Sequence, residues 1–350
     1  MKFATLWYIS SLVAVTCSGL DGSDSLPTIP LFLWTEVPNK DLKTVQSWKS
    51  YYQRMLRFIL SNRLMMETNG LVLCILPPTY KTEGLAIWGG AVSESPMYTE
   101  LISHIPDNVA LKFYPYIGEE DAQLEFAALS SSGDPLEGVY ALATRWNKEM
   151  AALGSTKAFT GIVLDFEGFG DFEEFGEAVN LSEISIAHYK ETYQIPEISL
   201  ALKLANMEAF YKFRPFIDTF YMEAYDIFTR GAKGITKTSE TSPYSLNPEN
   251  PEAVVDFLRD FVFYDPALME MYNNFGDQIF IMWSTQNAES SQCLYPLRGM
   301  GGANCELGTW SPAVANKFLR LAMNPASGLF PNVRGHGIFQ FDLIPLSWEW

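Results

Sequence analysis

Eight short apolar runs, separated by stretches of helical spacing, constrain this chain more than any other feature. They are Pro30–Trp34, Leu71–Leu76, Val109–Ile117, Gly161–Glu167, Ile198–Ala205, Asp218–Tyr225, Gln278–Trp283 and Gly337–Leu343. Each is five to nine residues long and rich in β-branched or aromatic side chains. That is the pattern of strands covered on both faces. The intervening segments carry apolar residues at helical periodicity: Asp41–Arg63, Ala122–Leu153 with a break at Ser130–Pro135, Ser182–Thr192, Met207–Pro215, Pro251–Asn273 and Ser311–Ala322. Strands alternating with helices build a parallel sheet, and eight of them predict an α/β fold of the (β/α)8 barrel type. Two features strain that reading. Gly84–Gly90 would add a ninth strand, and only eight residues follow Asp342, too few for the last outer helix. An open doubly wound sheet is the alternative, although no G-x-G-x-x-G follows any strand.

No Pro/Gly-rich linker divides the 350 residues, so residues 20–350 are read as one barrel domain. Residues 1–19 have the layout of a signal peptide: Lys2, an apolar stretch from Phe3 to Val15, then the small residues Thr16 to Gly19. That stretch is too short to span a bilayer, and no later apolar run reaches 18 residues. The expectation is therefore a secreted protein without a membrane span. Removing the leader leaves Cys74, Cys293 and Cys305. The last two are a candidate disulfide pair in an oxidising compartment, with Cys74 a buried thiol. Asn180-Leu181-Ser182 is an acceptor sequon.

Charge and composition narrow the chemistry. Lys and Arg number 24 against 41 Asp and Glu, a net charge of −17, so a nucleic acid would be repelled by the average field. The histidines are only three, His104, His188 and His336, with no H-E-x-x-H, no C-x-x-C and no G-x-S-x-G anywhere. Zinc hydrolysis and a serine triad are thus poorly supported, and no metal or cofactor is expected. Carboxylates are left to carry the chemistry.

The run Phe159-Thr160-Gly161-Ile162-Val163-Leu164-Asp165-Phe166-Glu167 is a buried strand that ends in two acids. Strand alternation sets Val163, Asp165 and Glu167 on one face. In a parallel barrel the carboxyl end of a strand is the active-site rim, so Asp165 and Glu167 would face the site. Two carboxylates held close repel, which favours a retained proton on one and suits general acid catalysis at a glycosidic oxygen. A divalent-ion site built from the same acids, or plain solvated strand-end acids, are the competing readings.

Gly161 to Glu167 resembles the strand-four motif of glycoside hydrolase family 18, the chitinases and their relatives, which reads D-G-hydrophobic-D-hydrophobic-D-x-E. Gly161, Ile162, Leu164, Asp165 and Glu167 match, while Thr160 and Val163 stand where the family has acids. Ala224-Tyr225-Asp226 resembles the family's M-x-Y-D segment, and Gly337–Asp342 its last strand, with Phe339 in place of the floor tryptophan. The resemblance implies a sugar-polymer substrate of N-acetylated residues. It implies Glu167 as acid and base, Asp165 as the group that orients the substrate's acetamido arm, and Tyr225 as donor to its oxygen. Asp226 would support the same pocket, and the substrate's own acetamido oxygen would be the nucleophile. Hyaluronidase-type barrels also carry an Asp-x-Glu pair after an apolar strand. Aromatic faces line sugar sites, which nominates Trp283, Trp34 and Phe339 as further substrate contacts.

Two functions follow from that resemblance. One is a secreted glycosidase acting on N-acetylated glycans, resting on Glu167, Asp165 and Tyr225. The other is a non-catalytic lectin on the same barrel, resting on Thr160, Val163 and Phe339. An unrelated barrel with an acid-bound divalent ion is the third reading.

Overall fold

The structure is a computed structural model; it describes residues 31–34, 45–63, 72–75, 96–115, 117, 120–165, 176, 181–203, 206–224, 251–257, 259, 265–284, 312–324 and 328–339. The strands are β1 (Leu31–Trp34), β2 (Val72–Ile75), β3 (Ala110–Phe113), β4 (Phe159–Asp165), β5 (Glu197–Lys203), β6 (Thr219–Glu223), β7 (Ile279–Ser284) and β8 (Gly335–Phe339). All neighbouring pairs are parallel, and β8 returns to pair with β1, which closes an eight-stranded barrel in chain order. The open doubly wound alternative is thereby set aside. Closure leaves no strand edge exposed, which is how a fully parallel sheet satisfies every ladder.

The helices between strands are α1 (Val45–Ser61), α2 (Pro96–His104), α3 (Glu120–Ala127), α4 (Pro135–Ala152), α5 (Glu183–Tyr193), α6 (Met207–Phe213), α7 (Pro251–Phe257), α8 (Pro266–Phe275) and α9 (Pro312–Ala322). The expected break before Pro135 is where α4 begins. Asp134 caps it by accepting from the Leu136 amide at 2.8 Å, and Pro135 supplies a first-turn residue with no amide hydrogen to satisfy. The single helix expected over Pro251–Asn273 is instead two. Asp265 is extended and accepts from the Ala267 and Leu268 amides at 2.8 and 3.4 Å, so a new helix starts at Pro266. Helix α2 was not anticipated. The final strand begins at Gly335, two residues before the start of the apolar run. Residues 340–350, which bear on the eighth outer helix, lie outside the described residues, as do the leader, Gly84–Gly90, Asn180, Cys293 and Cys305.

Among the described residues, the outer face of the sheet is largely apolar and buried. Phe113 packs edge-on to Trp146 of α4 at 5.2 Å between ring centroids, and Phe220 meets Phe210 of α6 at 4.7 Å. Trp283 meets Phe318 of α9 at 5.7 Å. Each such ring, buried fully, contributes about 1.5–3 kcal/mol. The same layer holds a buried histidine. His336 Nδ1 accepts the indole N–H of Trp283 at 3.2 Å, and the rings stack at 6.3 Å. Burial drives the His336 imidazole down from 6.5 to about 3.

A folded-state value below the unfolded one means that the unfolded chain binds the extra proton between pH 6.5 and 3. Stability contributed by neutral His336 is therefore complete above pH 6.5 and is lost as pH falls through that window. His336→Gln keeps an acceptor for the indole but cannot titrate. Denaturant unfolding from pH 7 to pH 3 is expected to lose several kcal/mol less in this variant than in the unaltered protein. Equal slopes would mean that His336 is protonated in the fold.

Candidate site at the carboxyl end of the barrel

Register and alternation define the interior face of the strands. Val163 pairs with Ser199, Asp165 with Ala201, Ala201 with Tyr221, and Lys203 with Glu223. Residues in register across a parallel pair share a face, so these belong to one side of the sheet, while Ile162, Leu164, Leu200 and Phe220 belong to the other. Phe220 packs on α6, so the first set is the barrel interior. On β3, Lys112 pairs with Gly161 and shares its interior face.

The lower half of that interior is occupied by a charged network. Lys112 is only 1% exposed, and its Nζ donates to Glu197 Oε1, to Ser199 Oγ at 3.0 Å and to the Tyr221 hydroxyl at 2.9 Å. All three donors of the ammonium are therefore used. Thr219 Oγ1 donates to Glu197 at 2.8 Å, and Arg334 Nη1 donates to the same hydroxyl at 3.0 Å. Burial acts to raise the Glu197 carboxyl, but Lys112 beside it, the Thr219 hydroxyl and Arg334 win, and it is held below the usual carboxylate range. Gly161 makes room for the pair. A Cβ there would sit 3.1 Å from both Cβ and the backbone oxygen of Glu197, and 3.4 Å from Lys112 Cε. The motif glycine thus has a packing reason in this barrel. Gly161→Ala is expected to cost about 1–3 kcal/mol in denaturant unfolding through overpacking; an unchanged midpoint would show that the pair can shift aside.

Above this network, at the carboxyl ends of the strands, the interior holds Tyr114, Asp165 and Glu223. Asp165 ends β4 and is 8% exposed. The Tyr114 hydroxyl, just past the end of β3, donates to its Oδ2 at 3.0 Å. Glu223 ends β6 at 2% exposure, in register with Lys203. Alternate strands fill one layer in barrels of this kind, so acids on β4 and β6 are suited to line the same rim. Val163 lies one interior position below Asp165 and is fully buried. It places an aliphatic group, with no proton to give or take, where the resembling family has an acid.

The residues nominated from sequence divide into four groups. Asp165 is at the interior rim, as its position after an apolar strand suggested. Trp34 and Phe339 end β1 and β8 and stand directly opposite one another in register, at the same end of the barrel as Asp165. Trp283 is a correction: it is fully buried on the outer face against α9, with its N–H given to His336, so it is not a sugar platform. The cause is parity, because Trp283 pairs with Ile338 and shares a face with Ile281 and His336 rather than with Met282. Glu167, Tyr225 and Asp226 lie outside the described residues, two, two and three positions beyond the ends of β4 and β6.

Sequence reasoning did not single out Tyr114, Glu223 or Lys112. The available signal was polar residues at alternate positions within apolar runs: Lys112 and Tyr114, Glu197 and Ser199, Thr219, Tyr221 and Glu223. Among the described residues no cluster of three or more His, Cys, Asp or Glu could hold a metal ion, and no helix is long and apolar enough to cross a membrane.

No protein-family model matches the chain, and no curated protein matches it. Among solved structures, concanavalin B aligns over 90% of this chain and 93% of its own, at 13% identity and a TM-score of 0.39. A candidate chitinase A from Streptomyces coelicolor aligns over 90% and 92%, at 13% identity and a TM-score of 0.41. Likeness at that level carries no chemistry across to this chain.

Proposed function

We propose that this protein is a secreted glycoside hydrolase that cleaves glycans of N-acetylated amino sugars by a substrate-assisted, retaining route. The observation that carries the reading is Asp165: a buried, hydrogen-bonded carboxylate on the interior face at the carboxyl end of β4, two residues before Glu167. Active sites in parallel barrels are built at that end from the strand termini and the segments after them. In the proposed cycle Glu167 gives its proton to the glycosidic oxygen as the bond to the anomeric carbon breaks. The acetamido carbonyl oxygen of the same sugar closes onto that carbon, giving a cyclic oxazolinium ion. Water then attacks the anomeric carbon while Glu167 takes its proton, which restores both enzyme and acetamide.

Asp165 holds the acetamido N–H and offsets the positive charge of the cyclic ion. Tyr225 and Asp226 complete the pocket around the acetyl group, and Trp34 and Phe339 offer apolar surface to sugar faces. No protein nucleophile and no cofactor enters this cycle. Hydrolysis of fluorogenic N-acetylglucosamine oligomers across pH 4–8 tests the reading, with release of fluorophore expected.

A second reading, a lectin on the same barrel, is favoured by the fully buried Val163 in place of an acid. It predicts a tryptophan fluorescence response to the same oligomers with no release of fluorophore.

A further inference from the structure

The geometry points to Tyr114 as the positioning residue that fixes the Asp165 carboxylate, above an interior position that Val163 leaves without an acid. The inference rests on the reading of Asp165 as the group that orients the substrate's acetamido arm. Tyr114 is 1% exposed and donates its hydroxyl proton to Asp165 Oδ2 at 3.0 Å. At 3.0 Å it is an ordinary hydrogen bond in length, made in a buried setting. A carboxylate offers about four lone-pair positions, and the Tyr114 phenol takes one of them. Tyr114 is itself held from below. Lys112, two residues earlier on β3, is bonded to both β5 and β6, which fixes the end of β3 relative to the barrel axis.

The valine at position 163 has a chemical consequence. An acid at position 163 could share a proton with Asp165 and let it alternate between two states. A phenol keeps its proton across the working range, because its ordinary pKa is near 10, and a valine holds none. Tyr114 therefore stabilises one state of Asp165, the anion in a single orientation, and the acetamido arm meets a fixed acceptor rather than a switching one.

The test needs no substrate. The protein is prepared with 13C at the aspartate carboxyl carbons, and the Asp165 resonance is assigned by its loss in Asp165→Asn. Removing a donor to the charged form favours the protonated acid, so Tyr114→Phe is expected to raise the Asp165 titration midpoint by about one pH unit. Site-specific 3-fluorotyrosine at position 114, a stronger donor, is expected to move it the other way. By register the other titratable groups on this end of the described interior are Glu223 and Tyr221 on β6 and Lys203 on β5, with Lys112 on β3 and Cys74 on β2 beneath. Neither variant alters any of them, so opposite shifts isolate the Tyr114 hydroxyl. An Asp165 midpoint that moves in neither variant overturns the inference, and should Tyr114→Phe fail to fold, the fluorotyrosine shift decides alone. Absence of hydrolysis by the unaltered protein overturns the glycosidase reading instead and leaves this titration standing.

Discussion

Glu167→Gln is expected to lower the turnover of N-acetylglucosamine oligomers by on the order of 10²–10⁴-fold, the range that general acid–base groups contribute. The amide has nearly the shape of the acid but no proton to give to the departing oxygen. Binding of the oligomer should change little, because the role assigned to Glu167 is exercised as the bond breaks rather than when the sugar docks. The loss should therefore fall on kcat and leave KM nearly unchanged. An aryl leaving group that departs without protonation should recover part of the rate in the first step. A variant that keeps full turnover would remove Glu167 from the reaction. Steady-state kinetics with two leaving groups of different acidity make the distinction.

The second large effect is on stability. Lys112→Met should cost about 3 kcal/mol or more, since removal of one partner of a buried ion pair leaves the other uncompensated. Glu197 is 26% exposed at its side chain and keeps Thr219 as a donor, which holds the cost toward the lower end of the range. Ser199 and Tyr221 lose a buried donor at the same time. The double variant Lys112→Met with Glu197→Gln should recover most of the loss, because neither charge of this pair is then left without its partner. A double variant no better than the single would mean that the network acts through packing alone.

The pH dependence has a defined sign. Glu197 is held below the ordinary carboxylate value, chiefly by Lys112 against the opposing effect of burial. Its contribution is complete above the unfolded value near 4.5 and is lost as pH falls through the folded one. The deficit of Lys112→Met should accordingly shrink in acid. Urea unfolding at pH 7 and at pH 3.5 would measure it, with a constant deficit contradicting the electrostatic account.

The barrel was legible in the sequence because eight apolar runs and their spacing are set by burial on two faces, a constraint that acts locally on each strand. The break before Pro135 was legible for the same kind of reason, since Asp134 and Pro135 act within one turn. The split at Asp265-Pro266 carries the same local signature, but the apolar periodicity of the surrounding segment masked it. Which face of a strand looks inward is a different matter. Trp283 is one residue out of step with the interior, and only the pairing of β7 with β8 reveals that. Lys112 looks anomalous within Val109–Ile117 until Glu197, Ser199 and Tyr221, more than eighty residues away in sequence, are brought around it. The interior placement of Asp165 was readable because it ends a strand whose pattern is local, whereas its bond from Tyr114 spans 51 residues of sequence.

The most direct test of the central claim compares turnover of fully N-acetylated glucosamine oligomers with that of their deacetylated counterparts, at equal length and across pH 4–8. If the acetamido oxygen is the nucleophile and Asp165 holds its N–H, only the acetylated oligomers are cleaved, and the product is released with retained anomeric configuration. Cleavage of both at similar rates, or an inverted product, would contradict substrate assistance. Cleavage of neither would contradict a glycosidase of this class.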